Sequence, residues 1–256
     1  MQQRNIKVDM KVLYFTATGN NLYIAKRLSN EYYSIPRMIK ENSFAFESEK
    51  IGIVFPVFHG AVPPIVEDFL NKASLKSAYI FGIASYGALA GGALQHLLEI
   101  ADRNHITFSY VNEILMIDNW LPIYDMDKER KKEPRKNIEK NLNQIIADIN
   151  DNKHYVKKHA AIINVLRKVN VKKFHVRFER NFFTESNCIG CKICEKVCPV
   201  DNIVVEERPR FMQNCQQCLA CIHNCPQNAI RLKNEKSRLR FTNQNITLSE
   251  IIHSNS

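Results

Sequence analysis

The sequence predicts an α/β fold, with a doubly wound five-stranded parallel sheet followed by a small α+β domain. Two observations predict it. Over about the first 150 residues, short apolar runs of strand character alternate with segments whose apolar residues recur at helical spacing. Beyond them lies an internal repeat, formed by two runs of four cysteines that start 27 residues apart. A chain of 256 residues has room for two such domains.

The elements of the sheet follow one another in chain order. Apolar runs predict strands at residues 11–15, 33–38, 50–55, 78–84 and 107–117. Helical periodicity predicts helices at residues 22–28, 62–70, 91–104 and 128–150. Prolines stand at the start of the second of these helices, where a missing N–H is tolerated. Alternation of this kind favours the strand order 2-1-3-4-5, with a ligand at the carboxyl ends of the strands.

All the cysteines of the chain belong to the carboxyl-terminal repeat. Each run reads C-x-x-C-x-x-C-x-x-x-C-P, and the predicted metal ligands are Cys188, Cys191, Cys194, Cys198, Cys215, Cys218, Cys221 and Cys225. This spacing resembles that of bacterial ferredoxins, which bind [4Fe–4S] clusters. Zinc is the weaker alternative, because its sites usually combine C-x-x-C pairs or cysteine with histidine. Disulfides are also weaker, because they are typical of short secreted chains. The sequence therefore predicts two [4Fe–4S] clusters and electron transfer.

The resemblance to two-cluster ferredoxins also implies how the ligands are shared. In those proteins the fourth cysteine of each run binds the other cluster. Carried over, one cluster is held by Cys188, Cys191, Cys194 and Cys225, and the other by Cys198, Cys215, Cys218 and Cys221. Ile203 and Ile230 each lie five residues beyond a fourth cysteine. We expect them to cover the clusters as apolar lids.

A loop rich in hydroxyl and amide groups follows the first predicted strand. It consists of Thr16, Ala17, Thr18, Gly19, Asn20 and Asn21. Because a helix begins directly after it, backbone N–H groups and the positive end of the helix dipole converge there, which predicts a phosphate site. The P-loop pattern and the G-x-G-x-x-G fingerprint are both absent from the sequence. An ordinary helix cap is the alternative.

The loop is similar to the flavodoxin phosphate loop T-x-T-G-N-T, from which it departs at Asn21. Over most of residues 10–250 the chain resembles fused flavodoxin–ferredoxin proteins of anaerobic bacteria and archaea. The match includes the segments DNWLP at 118–122 and RFTNQNITL at 240–248. The resemblance implies a flavodoxin-like domain at 1–152, a basic helical connector at 153–180, a ferredoxin domain at 181–233 and a tail at 234–256.

The resemblance also implies FMN as a cofactor. In flavodoxin-like proteins the loops that follow the strands clasp the isoalloxazine ring. The corresponding residues here are Pro56, Val57, Phe58, His59, Gly60, Ser85, Tyr86, Gly87, Ala88, Asn119 and Trp120. Among them, the aromatic rings are candidates for stacking on the flavin. The alternative is that these rings belong to the core and that the lone histidine is structural.

The net charge of the chain indicates which kinds of partner it could attract. The formal net charge is +10, and two clusters and a flavin phosphate would lower it to about +4. Residues 153–180 contain Glu179 as their only acid, so this strip would steer an acidic redox protein, anionic lipid or nucleic acid, unless it is simply a solvated helix face. Residues 160–173 are expected to form a helix that connects the domains. No nucleic-acid motif, no run of 18 apolar residues and no signal peptide is visible, so we expect a cytoplasmic protein without a transmembrane segment.

Three functional hypotheses follow. The weakest is a basic, iron–sulfur-bearing protein that binds nucleic acid or a membrane surface, because no recognised nucleic-acid motif is present and the basic stretch lacks interleaved aromatic residues. The other two are redox functions. In the first, the protein is an electron-transfer flavoprotein that passes electrons between FMN and the clusters, to or from a redox partner protein. In the second, it is an FMN-dependent reductase of a small-molecule acceptor, such as a quinone, fed through the clusters. A carrier should cover the ring and need a protein partner, whereas a reductase should turn over substrate on its own.

Overall fold

The computed structural model describes residues 9–158 and 178–256. Its main feature is a six-stranded parallel sheet, whose strands are β1 (Met10–Tyr14), β2 (Glu31–Ser34), β4 (Lys50–Pro56), β6 (Tyr79–Tyr86), β7 (Tyr110–Leu115) and β8 (Tyr155–Val156). They are ordered β2-β1-β4-β6-β7-β8. The short strands β3 (Ala45–Glu47) and β5 (Ser74–Lys76) form a separate parallel pair. The helices are α1 (Asn20–Leu28), α2 (Ile35–Lys40), α3 (Pro64–Leu70), α4 (Ala93–Arg103), α5 (Met126–Lys132) and α6 (Ile138–Asn150).

The doubly wound fold and the 2-1-3-4-5 order of the five predicted strands are confirmed. The sheet has one strand more than predicted, because Tyr155 and Val156 pair with Tyr110 and Val111 at its edge. These two residues lie in the segment assigned to the connector. The rest of that segment includes the helix expected at residues 160–173, which falls outside the described residues.

Two predicted elements were wrong in their extent, and proline explains both. The strand predicted at residues 33–38 ends at Ser34, where α2 begins with Pro36 in its first turn. The single helix predicted at residues 128–150 is broken into α5 and α6. Pro134 has no N–H to donate, and the chain passes it in a 3₁₀ turn, Glu133–Lys136.

The core of the sheet has two faces because side chains alternate along each strand. Val12 and Tyr14 of β1 point to the face covered by α1 and α6, whereas Leu13 and Phe15 point to the face covered by α2, α3 and α4. All four residues are buried. The sheet is therefore covered on both sides, and its carboxyl edge remains for binding.

The second domain follows the repeat seen in the sequence. It contains β9 (Phe182–Thr184), α7 (Ile193–Lys196), β10 (Ile203–Val205), β11 (Pro209–Phe211), α8 (Ala220–His223) and β12 (Ile230–Leu232). Here β9 pairs with β12 and β10 with β11, both antiparallel. The helix α8 begins 27 residues after α7, and the strand β12 begins 27 residues after β10. Both of these strands begin with isoleucine. The small α+β domain is thus a pseudo-twofold structure.

The last residues return to the first domain. The helix α9 (Leu248–Asn255) carries a capping box, in which Thr247 and Glu250 satisfy each other's backbone N–H groups. Its buried Ile251 and the preceding Ile246 belong to the core face that α1 and α6 cover. Across residues 9–158 and 178–256, none of the helices has the length and apolarity needed to cross a bilayer.

Candidate functional site

The cysteines form two groups of four. One cavity, of about 330 Å³ including open solvent, is lined by Cys188, Cys191, Cys194 and Cys225, with Ile230 beside them. A second cavity, of about 320 Å³ including open solvent, is lined by Cys198, Cys215, Cys218 and Cys221, with Ile203 beside them. We call these cavity A and cavity B. Each takes three sulfurs from one run and the fourth from the other run, which is the sharing that the ferredoxin resemblance implies. Ile230 and Ile203 lie where the apolar lids were expected.

Left-handed residues shape both cysteine loops. Two positions after its first cysteine, each run has a residue with positive φ, Gly190 at 63° and Gln217 at 58°. Lys192 and Leu219, each four positions after the first cysteine of its run, also have positive φ. These bends turn the chain around a central point, so that cysteines three residues apart can face one cavity. The local conformation repeats with the sequence.

The sulfur atoms accept backbone hydrogen bonds, as cluster thiolates require. The N–H of Asn202 donates to Cys198 Sγ at 3.2 Å, and the N–H of Ala229 donates to Cys225 Sγ at 3.2 Å. These two bonds occupy equivalent places in the repeat. Gln217 donates its N–H to Cys215 Sγ at 3.3 Å. Such bonds stabilise negative sulfur and help to set the potential of a cluster.

Burial works against thiolate formation when no cation is close. It raises the pKa of Cys194 and of Cys215 to about 12 and also raises the pKa of Cys198, Cys218 and Cys221. Thiolates at these positions therefore need the positive charge of iron. No disulfide joins the eight cysteines, which all lie in the described part of the chain. The cavities, lids and donors fit two [4Fe–4S] clusters.

A third cavity, of about 1070 Å³ including its open mouth, lies at the carboxyl ends of β1, β4, β6 and β7. We call it the three-loop cavity, after the loops that follow β4, β6 and β7; the loop after β1 completes its wall. Most residues predicted to bind a flavin line it: Thr16, Ala17, Thr18, Asn20, Asn21, Pro56, Val57, Phe58, His59, Gly60, Ser85, Tyr86, Gly87, Asn119 and Trp120. Gly19 and Ala88 do not line it. Gly19 faces Ile246 and Asn243 instead, and Ala88 is exposed on the outer side of its loop.

The first loop has the geometry of an anion site. Gly19 precedes α1 with φ at 96°, and it has no side chain with which to cap the first turn of that helix. Its own N–H donates to Thr16 Oγ1 at 3.0 Å. The Asn21 side chain is tied to the strand before the loop, since its Nδ2 donates to the Phe15 carbonyl at 2.9 Å. The backbone N–H groups at the start of α1 are suited to an anion.

The other three loops approach one another through glycines. A Cβ on Gly91 would lie 2.7 Å from Gly60 Cα, so the loops after β4 and β6 touch through their backbones. A Cβ on Gly87 would lie 2.2 Å from Asp118 Cβ, so the loops after β6 and β7 touch as well. Burial raises the pKa of Asp118, whose Oδ1 accepts the N–H of Trp120. The cavity wall is therefore fixed by close backbone contacts.

The aromatic candidates have different surroundings. Phe58 packs edge-on against the buried Phe15, with ring centroids 6.0 Å apart, so it also serves the core. Trp120 stacks on Phe178 at 5.1 Å and meets the His59 ring edge-on at 5.3 Å. Trp120, His59 and Phe178 thus form one aromatic group at the border with the second domain.

The three-loop cavity adjoins cavity B. Cys218 lines both, and its neighbour Gln217 lines the three-loop cavity. His59 Nε2 donates to Gln217 Oε1 at 2.9 Å, which joins a loop of the first domain to a cysteine loop of the second. His223 makes a similar link, since its Nε2 donates to the Asn119 carbonyl at 2.8 Å. Burial lowers the pKa of His223 to about 4, in keeping with a neutral ring between fixed partners.

Several residues in the lining of the three-loop cavity were not predicted from the sequence, namely Leu89, Met116, Ile117, Ile123, Tyr124 and Gln217. Cys218 was predicted only as a cluster ligand. Asp118, which belongs to the DNWLP segment of the resemblance, also lines the cavity. Gln217 and Cys218 carried no local signal for this cavity, because their place depends on how the two domains pack.

Comparison with known proteins supports the prediction of two clusters in the second domain. Residues 187–230 match the family model for a 4Fe-4S dicluster domain. The carboxyl-terminal part of the chain thus carries two [4Fe–4S] clusters for electron transfer, and its eight cysteines account for their ligands. Over 51 residues the chain is 47% identical to a protein of the ion-translocating oxidoreductase complex of Methanosarcina acetivorans. That stretch is 19% of this chain and 19% of the relative, so the chain spans about a fifth of that protein's length.

Two solved structures illustrate the likeness of the first domain. A flavoprotein in complex with FMN from Lactobacillus acidophilus has a TM-score of 0.30 and 14% identity, covering 41% of this chain and 93% of that one. Rubredoxin oxygen:oxidoreductase from Desulfovibrio gigas has a TM-score of 0.34 and 11% identity, covering 53% of this chain and 36% of that one. At such TM-scores these likenesses carry no argument, and the α/β fold stands on the strand order described above.

Proposed function

We propose that the protein is an electron-transfer flavoprotein in which FMN occupies the three-loop cavity and exchanges electrons with a cluster in cavity B. The single observation that carries the proposal is that Cys218 belongs to the walls of both cavities. FMN exchanges electrons singly or in pairs, whereas each cluster exchanges one at a time. A chain that holds both groups in contact makes their exchange effectively unimolecular.

The residues divide the work of such a relay. The first loop offers backbone N–H groups to a phosphate, and the loops after β4, β6 and β7 enclose a planar ring. Gln217 and His59 hold the two domains in register at the point where the cavities meet. The cysteines of cavity A are the outer group, since Cys191 is exposed and Ile189 of the same loop is 65% exposed. Electrons would thus pass between the three-loop cavity, cavity B, cavity A and a partner.

The composition of the anaerobically purified protein tests this proposal. We expect about eight irons and about one FMN per chain, with the broad absorption of [4Fe–4S] clusters added to the flavin bands. The Gly19→Val variant, purified and measured in the same way, should retain the iron and lose the FMN. The valine side chain would meet Ile246 and Asn243, at a position whose backbone is left-handed. Protein with zinc in place of iron, or with iron but no affinity for FMN, would refute the relay.

We propose an acidic redox protein as the partner, docking at cavity A. Lys192 is exposed and lines cavity A within the ligand loop, next to the exposed Cys191. We expect the rate of reduction of an acidic ferredoxin to fall as ionic strength rises, and to fall about tenfold at low salt in Lys192→Glu. Lys76→Glu is the matched control, because Lys76 is exposed beside the amino ends of the strands. Equal effects of both substitutions would exclude docking at cavity A.

The alternative, a reductase of a small acceptor such as a quinone, has one observation in its favour. Leu89 and Ile123 line the three-loop cavity while being 84% and 63% exposed, so its rim is apolar. Such a rim suits a hydrophobic ring. Mixing the chemically reduced protein with a soluble quinone separates the two functions. A reductase would pass its stored electrons to the quinone without any partner protein, at a rate that saturates with quinone concentration, whereas a carrier would reduce the quinone only when a partner protein is present.

A further inference from the structure

The carbonyl groups of the phosphate loop are held by asparagines from distant parts of the chain. The Thr16 carbonyl accepts a hydrogen bond from Asn255 Nδ2 at 3.3 Å, and the Ala17 carbonyl accepts one from Asn224 Nδ2 at 3.1 Å. The next carbonyl, that of Thr18, accepts the backbone N–H of Asn243 at 2.8 Å. Three successive carbonyls of the loop are thus bonded by residues more than 200 positions away.

These asparagines belong to the second domain and the tail. Asn224 follows α8 between two cysteine ligands, Asn243 lies in the tail, and Asn255 ends α9. All three are buried, and Asn255 is fully buried. Asn243 also donates through Nδ2 to Asn20 Oδ1 at 3.1 Å, at the first residue of α1. Buried amides with fixed partners rigidify what they bond.

The direction of the carbonyls matters for an anion. A carbonyl oxygen carries partial negative charge, and one that turned into the three-loop cavity would repel a phosphate. Bonds from outside hold these oxygens away from the cavity. The N–H groups of Ala17 and Thr18 share peptide units with the first two carbonyls and suit an anion within the cavity, whereas the N–H of Gly19 is bonded to Thr16 Oγ1.

We propose that Asn224, Asn243 and Asn255 are positioning residues that shape the phosphate site, so that affinity for the phosphate of a bound mononucleotide depends on the docked carboxyl-terminal segment. This inference rests on the proposed FMN site. It adds that the second domain and the tail contribute to binding, although none of the three asparagines lines the cavity.

Hydrogen bonds and an ion pair anchor the carboxyl-terminal helix α9 to the first domain. Ser254 Oγ and Tyr14 Oη share a hydrogen bond of 2.7 Å, and Lys40 Nζ donates to the Asn255 carbonyl at 2.7 Å. On the surface, Lys26 pairs with Glu250 at 2.5 Å. The hydrogen bond from Lys26 lowers the pKa of Glu250 to about 2, so this pair stays ionised at neutral pH.

The test compares FMN with riboflavin, which lacks the phosphate. In full-length, cluster-loaded Asn255→Leu we expect the affinity for FMN to fall about tenfold, because the Thr16 carbonyl loses its buried donor. The affinity for riboflavin and the iron content should stay unchanged. Gln244→Ala is the matched control, an exposed amide in the same tail, and should leave both affinities as they are. Fluorescence titration measures all of them.

Every outcome of this test decides the question. Equal losses for FMN and riboflavin would mean general destabilisation and overturn the inference, as would no loss for either ligand. If Asn255→Leu loses its iron, Glu250→Gln serves as the test variant instead. This surface change loosens α9, so it should lower the affinity for FMN by a smaller factor and leave the affinity for riboflavin unchanged. Wild-type protein without preference for FMN over riboflavin would overturn the proposed phosphate site itself, which is a distinct failure.

Discussion

Replacing Cys218 with alanine is expected to stop electron exchange between the three-loop cavity and the clusters. It removes one of the four sulfurs of cavity B, and iron should fall from about eight to about four per chain. It also removes the residue that the two cavities share. Because cavity A has no residue in the wall of the three-loop cavity, a cluster left in cavity A should receive electrons from FMN only very slowly.

Cys191→Ala is the matched control for this prediction. It also removes one sulfur and about half of the iron, but from the exposed cavity A. Light-driven reduction of FMN, followed by electron paramagnetic resonance of the reduced cluster, measures the exchange in both variants. We expect fast exchange in Cys191→Ala and nearly none in Cys218→Ala. The order of the relay would be wrong if the two variants exchanged equally fast, or if Cys191→Ala were the slower.

The second large effect is expected from Gly87→Ala, a single methyl group at the contact between two loops. Its Cβ would lie 2.2 Å from Asp118 Cβ and 2.4 Å from Asp118 Cα. Since backbone lies on the other side of this contact, the loops after β6 and β7 must separate. Overpacking of this kind costs about 1–3 kcal/mol, and that much free energy lost from FMN binding corresponds to an affinity about fivefold to 150-fold lower.

Ala88→Ser is the control, because Ala88 follows Gly87 in the loop but is exposed and does not line the cavity. Its FMN affinity should equal that of the wild type. Iron content should be unchanged in both variants, since neither residue touches the cysteine cavities. Fluorescence quenching of FMN gives the affinities. Wild-type affinity in Gly87→Ala would show that these loops do not enclose the flavin.

The cysteine runs show why one half of the site could be read from the sequence. Cluster ligands three residues apart are a local property, and the bends at Gly190 and Gln217 recur with the motif itself. The sharing of Cys198 and Cys225 between the runs came from the ferredoxin resemblance, and the structure groups the sulfurs in the same way. The strand order was also predictable, since connections between parallel strands obey simple rules.

The errors in the predicted elements have local causes as well. Pro134 interrupts a stretch whose periodicity alone favours one long helix. The edge strand β8 is two residues long, too short for any periodic signal. Asn21 stands where the flavodoxin loop has threonine, and its longer side chain reaches back to the Phe15 carbonyl.

What the sequence by itself determined is the chemistry of the two clusters, the order of the strands and a polar loop between the first strand and the first helix. Only the tertiary structure decided how these parts meet. It places Cys218 in the wall of the three-loop cavity and brings Asn224 and Asn255 to the carbonyls of Ala17 and Thr16. The reason is physical: spacing along the chain fixes local geometry, whereas contacts across 200 residues arise from the packing of buried surfaces that no short motif encodes.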